Sequence, residues 1–327
     1  MPEINNIRKG KMMKKTLLLI AALLCAGTLL DAKELKVLMI GNSFSNSVIH
    51  GYLPKIVKMS GKHQLKLANA YIGGCTIERH CANIDREKTD PNFKPYTFHQ
   101  VDSRDLKPKS TRSNLSDIIK ADKWDIITIQ QGSVHSPYKE KTQELAKKLI
   151  AHVRTLAPQA EIVVHETWAY RADHPWFKGD KAKMTQKQMY EKVMANYNEL
   201  AASNKFRMIP VGEAVHLFRV KLPVKPVAYT AEDLKKLEKP KTMDITGGDV
   251  VGSMSWGPDR KNKKNVVLRI DRIHLNDKGK YLQGCVWYMV LFGAKPEEIK
   301  SDFNKPEEKL LRECAAQAVA ECKFNAR

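Results

Sequence analysis

Ser43, Asp271 and His274 are the residues of this 327-residue chain whose types and placement point to chemistry. A serine hydroxyl becomes a usable nucleophile when it sits on an exposed, rigid turn, with a histidine to take its proton and a carboxylate to orient that histidine. Ser43 lies in Gly41-Asn42-Ser43-Phe44-Ser45, directly after the apolar run 35–40 and before a stretch of helical periodicity. Gly41 lets the chain turn sharply there. Taken alone, the motif reads equally well as a helix cap. Asp271-Arg272-Ile273-His274 supplies the other two groups, because a spacing of three lets one loop or helical turn present both side chains on the same side. The joint arrangement carries the argument: a serine after the first strand and an Asp-x-x-His pair just before the last long helix.

The elements that must position these residues follow from hydrophobic patterning. Continuous apolar runs at 35–40, 65–71, 124–130, 161–165 and 207–211 predict buried strands. Helical spacing predicts helices at 45–60, 143–156, 181–203, from Glu213, at 277–292 and at 305–322. The polar, proline-bearing stretch 78–112 predicts a long surface excursion. Strands alternating with helices imply an α/β fold, a three-layer α/β/α sandwich around a mainly parallel sheet of about five strands, with functional loops at the carboxyl ends of the strands. Residues 220–265 break the rhythm with Pro223, Pro226, Pro240, Pro258, Gly247-Gly248 and the basic run Arg260, Lys261, Lys263 and Lys264. They are expected to form an insertion or lid near the catalytic edge. The expected organisation is a signal peptide over 1–32, a catalytic domain over 33–300 and a C-terminal helix over 301–327.

These motifs, in this order, resemble the SGNH/GDSL hydrolase superfamily, with the likeness spanning about Leu35 to Gly293. Gly41-Asn42-Ser43-Phe44-Ser45 looks like its first block, Ile72-Gly73-Gly74-Cys75-Thr76 like its second and Asp271-x-x-His274 like its fifth. The chain is most similar to a bacterial branch marked by Gly-Asn-Ser-Phe-Ser, Gln-Gln-Gly-Ser, Thr-Trp-Ala-Tyr and Asp-x-Ile-His. The resemblance implies a flavodoxin-like sheet, an acyl-enzyme at Ser43 and an oxyanion hole from the Ser43 and Gly74 amides. The third block, Gly-x-Asn-Asp, is absent. Gln130-Gln131-Gly132-Ser133 stands in its place, so the resemblance puts the third oxyanion donor on Gln131, whose amide carries the same NH2 donor as asparagine. Trp168 and Tyr170, after the fourth strand, are candidates to stack on a sugar, or else to fill the space between strand-end loops.

The expected substrate is a small acyl ester, acetyl above all, on an extracellular carbohydrate. The alternative is a secreted polyanion- or glycan-binding protein on a catalytically altered scaffold. The formal charge is +20. Removing residues 1–32 takes away five basic and two acidic side chains and leaves +17. Such a field attracts anionic substrates or polymers and carries no information about fold. No zinc-finger spacing or aromatic RNA-binding motif accompanies it, so no nucleic acid partner is expected. A nucleotide cofactor would need a glycine-rich cradle after the first strand, and 41–47 holds no second glycine. No cofactor or metal is therefore expected: His135 and His174 have no paired ligands, and His80 beside Cys81 is a weak metal signal.

Lys14-Lys15 followed by the apolar run 16–30 reads as an export signal rather than a membrane span. It predicts a periplasmic or extracellular protein without a lipid anchor. Five cysteines follow that segment, and an odd count leaves at least one thiol unpaired. Cys314 and Cys322 would lie about 12 Å apart along a helix, too far to bridge. Cys75 with Cys81 is the local pairing to test.

Overall fold

In a computed structural model, residues 34–325 other than 181 and 260 are described. The expected signal peptide therefore lies outside the described residues. Leu35 to the C-terminus forms one compact unit. Its first strand, β1 (Glu34–Gly41), has Val37, Leu38, Met39 and Ile40 at 1% exposure or less. Strands covered on both faces carry such unbroken apolar runs, because there is no solvent face for polar residues to occupy. Ile126–Ile129, the next strand of this kind, is buried at every position.

The chain continues through α1 (Ser43–Ile49), α2 (Leu53–Ser60), β2 (Gln64–Tyr71), α3 (Ile77–Glu87), β3 (Tyr96–Asp102), β4 (Lys109–Ser113), α4 (Leu115–Lys120) and β5 (Ile126–Ile129). It then forms α5 (Gln143–Leu156), β6 (Glu161–His165), α6 (Gln186–Asn204), β7 (Arg207–Ile209) and α7 (Val211–Lys221). After α8 (Ala231–Lys235) come β8 (Val251–Pro258), β9 (Val266–Leu275), α9 (Asp277–Phe292) and α10 (Glu308–Glu321). The main sheet has seven strands in the order β4-β3-β2-β1-β5-β6-β7, with β1, β5, β6 and β7 successively parallel. Helices α2, α7, α9 and α10 pack together, and α3, α4 and α5 form a second group. The architecture is the mainly parallel α/β sandwich the patterning predicts.

The strand order places the site. From β1 the sheet grows one way to β2, β3 and β4 and the other way to β5, β6 and β7. The carboxyl end of β1 is thus a topological switch point, where α/β sheets open a crevice for ligands. Ser43 is the second residue beyond β1.

Five expectations are corrected. The helix foreseen at 45–60 is two helices, separated by residues 50–52 around Gly51. The excursion at 78–112 instead contains α3, β3 and β4, and the sheet has seven strands rather than about five. Strand β4 (KSTRS) is almost wholly exposed at the sheet edge, so it lacks the apolar signal that marks a strand, and its Lys109 and Arg112 suit an unpaired edge. Residues 251–275 form a separate antiparallel pair, β8 with β9. Lys261, Lys263 and Lys264 sit on its exposed turn, while Arg260 falls outside the described residues. Finally, Cys75 and Cys81 are unpaired and buried, their thiols pointing to the Thr76 and Leu145 carbonyls.

Candidate active site

The nucleophile turn is built by Asn42. It caps α1, its Oδ1 accepting the Phe44 N–H at 3.0 Å, and its Nδ2 donates to the Cys75 carbonyl at 2.9 Å. One carboxamide therefore fixes Ser43 and ties its turn to the 72–75 turn, where Gly74 takes a left-handed φ of 62°. Gln130, at the end of β5, donates to the same Asn42 oxygen at 2.8 Å, and its own oxygen bonds the buried His165 Nδ1 at 2.8 Å. Burial pushes His165 down to about 3, so it stays neutral. Gly41 has no room for a side chain: a Cβ would lie 2.5 Å from Ser45 Oγ. Ser45 itself is buried against the Asn42 carbonyl and Asn69.

Asp271 and His274 lie on β9, not on the loop or helical turn foreseen. Ser253 pairs with Asp271 and Val251 with Leu275, so two steps along β8 match four along β9. The surplus makes a bulge at 272–274, and a bulge re-aims side chains that a regular strand would send to alternate faces. Asp271 Oδ1 accepts the Ile273 and His274 N–H groups at 2.7 and 2.9 Å. Its Oδ2 meets His274 Nδ1 at 2.6 Å, and His274 Nε2 meets Ser43 Oγ at 2.8 Å. The sequence-predicted serine, histidine and aspartate thus come together in one hydrogen-bonded chain. Burial pushes the Asp271 carboxyl up, but the imidazole and the two backbone N–H groups outweigh it and bring it to about 2. The ionised carboxylate holds the proton on Nδ1 and leaves Nε2 to accept from the serine.

An aromatic stack joins the two halves. Phe44, next to the nucleophile, stacks on Trp168 at 4.1 Å and meets the His274 ring edge-on at 5.7 Å. Trp168 Nε1 donates to the Ile273 carbonyl at 2.8 Å. This corrects the sugar-stacking expectation for Trp168, which is 1% exposed with its face against Phe44: it is a strut for the bulge. Tyr170 is equally buried, its hydroxyl donating to Ser133 Oγ at 2.8 Å, so its ring offers no platform either. No period or composition signal distinguishes a buried strut from an open aromatic platform, and the sequence left both open.

Gln131 is also corrected. Its Oε1 accepts the Ile77 N–H at 2.9 Å and the Gly132 N–H at 2.7 Å, while Nε2 donates to the Lys141 carbonyl at 2.7 Å. Two N–H groups facing one end fix the orientation of the amide, and its donor end points to backbone. The side chain is fully buried and does not serve an oxyanion. Its work is to join α3 and the 139–142 segment to the end of β5. Among the described residues no group of three His, Cys, Asp or Glu side chains is placed to hold a metal ion, and no helix is long and apolar enough to cross a membrane. His80 is buried against the Tyr96 hydroxyl at 2.9 Å.

Comparison with known proteins agrees with this architecture. A DUF4886 family protein of known structure from Bacteroides uniformis is 24% identical, with a TM-score of 0.67, over 88% of this chain and 95% of that one. An SGNH hydrolase described as putative, from Slackia heliotrinireducens, is 16% identical, with a TM-score of 0.41, over 78% and 97% of the two chains. An acetyl xylan esterase is 15% identical, with a TM-score of 0.43, over 79% and 100%. No curated protein matches the chain. The family model for DUF4886, a domain of unknown function, matches residues 36–221, which include Ser43 and stop short of Asp271 and His274. Over that span, more than half its length, the chain belongs to the DUF4886 family.

Proposed function

We propose that the protein is a serine esterase that removes small acyl groups, acetyl above all, from carbohydrate through an acyl-enzyme at Ser43. The observation that carries this reading is the chain Ser43 Oγ–His274 Nε2 at 2.8 Å and His274 Nδ1–Asp271 Oδ2 at 2.6 Å. Ser43 Oγ attacks the acyl carbonyl as its proton passes to His274 Nε2. The imidazolium, held by Asp271, returns that proton to the leaving alcohol, and water repeats the sequence to release the acid. The Ser43 amide, at the open first turn of α1, and the Gly74 amide are the oxyanion donors, and the Asn42–Cys75 bond sets their spacing.

The His274 side chain is 43% exposed, so the reacting centre is open to solvent. An open centre favours a small acyl group on a bulky alcohol over a long acyl chain, which would need a covered apolar channel. Residues 1–32 would export the enzyme to where such glycans occur. The departure at Gln131 favours a second reading, a glycan-binding protein on a scaffold that has lost catalysis. Labelling with a fluorophosphonate decides: stoichiometric modification of Ser43, absent in His274→Ala, supports the esterase. An unlabelled Ser43 in the folded protein overturns it.

A further inference from the structure

Beside the bulge that presents Asp271 and His274 lies a cationic cavity that ester hydrolysis itself does not use. It measures about 490 Å³ and is lined by Asp173, Lys178, Val227, Tyr229 and Arg272 among others. Arg272 belongs to the bulge itself, one residue from Asp271.

Asp173 is the single carboxylate among the lining residues. Its Oδ1 accepts from Arg171 Nε at 2.6 Å, and its Oδ2 from Arg171 Nη2 and Arg272 Nε, both at 2.8 Å. Two guanidinium groups thus share one anion, and Lys178 adds a third positive charge at the rim. Among the lining residues Arg272 and Lys178 against Asp173 leave a formal excess of one positive charge, and the buried Arg171 adds another behind Asp173. Arg272 is held a second time by the Tyr229 hydroxyl, so its guanidinium is fixed in place before any ligand arrives. Arg171 is completely buried, and its Nη1 has no hydrogen-bond partner. A fixed guanidinium in a cavity of net positive charge is suited to an oxyanion, which it meets with short charge-assisted hydrogen bonds.

We propose that this cavity is the subsite for an anionic group on the alcohol portion of the substrate, a uronic-acid carboxylate or a sugar sulfate. The enzyme would then act on acylated acidic glycans. This substrate assignment rests on the reading of Ser43 as an ester-cleaving nucleophile.

The test compares acetylated trigalacturonate, acetylated xylotriose and sulfated acetylated xylotriose at low salt. One charge-assisted contact corresponds to about a tenfold preference in kcat/KM for an anionic substrate over the neutral one. Whichever anion is preferred identifies the group. Arg272→Gln should collapse that ratio. Because Arg272 also braces the fold, the exposed Lys178→Glu provides an independent variant that should lower the ratio. Equal kcat/KM on all three substrates overturns the proposal. Calorimetric titration of unacetylated trigalacturonate and of sulfated xylotriose into Ser43→Ala separates the two readings. Binding of either that Lys178→Glu weakens, with Ser43 refractory to fluorophosphonate, keeps the subsite and sinks the esterase. Labelling of Ser43 without binding of either, or without an effect of Lys178→Glu, does the reverse.

Discussion

Asp271 holds His274 at two points: Oδ2 meets the ring Nδ1 at 2.6 Å, and Oδ1 accepts the backbone N–H of the same residue at 2.9 Å. The imidazole is oriented by its partner and by the strand that carries it. The carboxylate is therefore a scaffold for the bulge as well as the acid of the triad.

Ser43→Ala and His274→Ala should each lower esterase kcat/KM by about 10⁴-fold or more, because triad members act as a unit. The double variant should be little worse than either single one. Steady-state turnover of an aryl acetate measures this, and additive losses would separate the two residues. Asp271→Asn should cost a comparable order by misorienting the ring, while Ser45→Ala, whose hydroxyl bonds the Asn42 carbonyl and Asn69 rather than His274, should cost far less.

Gln131→Ala should act on stability rather than on turnover. It strands the Ile77 and Gly132 N–H groups in the interior, and each buried unsatisfied donor costs about 1–3 kcal/mol. Urea denaturation should show the lower midpoint, with kcat per folded molecule within a few-fold of the parent. A loss of kcat by about 10² with unchanged stability would return Gln131 to the oxyanion.

Trp168→Leu removes both the Ile273 carbonyl bond and the face against Phe44. The bulge would drift relative to Ser43, and misplacement by about 1 Å costs on the order of 10² in rate. The expected result is a fall in kcat of about 10- to 100-fold with KM little changed. A change in KM alone would restore a sugar-binding role.

Glu166 sets a pH dependence. Burial raises its carboxyl from 4.5 to about 8, against opposing backbone hydrogen bonds from Glu213 and Gly212. Below about 4.5 both folded and unfolded chains hold the proton. Between 4.5 and 8 the unfolded chain ionises first, so this group's contribution to stability falls as pH rises. Histidines that burial holds below their ordinary 6.5, among them His80, His152, His165 and His216, are neutral in both states only about a unit above that value, which leaves about pH 7.5–8 as the clean window. Denaturation midpoints should decline across that window in the parent and decline less in Glu166→Gln. Parallel declines would place the titration elsewhere.

How much of this was legible follows from the physics of each signal. The nucleophile turn was, because parallel strands buried on both faces must be apolar throughout and β1 ends abruptly at Gly41-Asn42-Ser43. The Asp271-x-x-His274 pairing was legible as a spacing, but not as a bulge, since the register of β9 depends on its partner β8. Strand β4 was hidden because an edge strand keeps polar side chains, and β3, between β4 and β2, alternates buried Tyr96 and Phe98 with polar residues and so makes no continuous apolar run. The Gln131 expectation rested on side-chain chemistry at the right strand end. Only the fold brings the Ile77 and Gly132 amides to its oxygen, so no local pattern could reveal that its donor end faces the Lys141 carbonyl. Trp168 and Arg272 owe their roles to neighbours about a hundred residues away in sequence.

The nucleophile and its proton acceptor belong to different sheets. Ser43 is anchored to the seven-stranded core, whereas His274 rides on the two-stranded β8–β9 ribbon. That ribbon is moored near its bulge and base by Trp168 to Ile273, Arg171 N–H to the Arg272 carbonyl, the Arg272 guanidinium to Asp173 and Tyr229, and Arg219 to Asp249. A two-stranded ribbon is marginal by itself, and such elements open at lower free energy than the sheet beside them. Undocking of the ribbon would silence the hydroxyl while every core strand remained paired. Heat or mild denaturant should then extinguish turnover before the protein melts and return it on cooling, so that activity reports the mooring of the ribbon rather than the integrity of the fold.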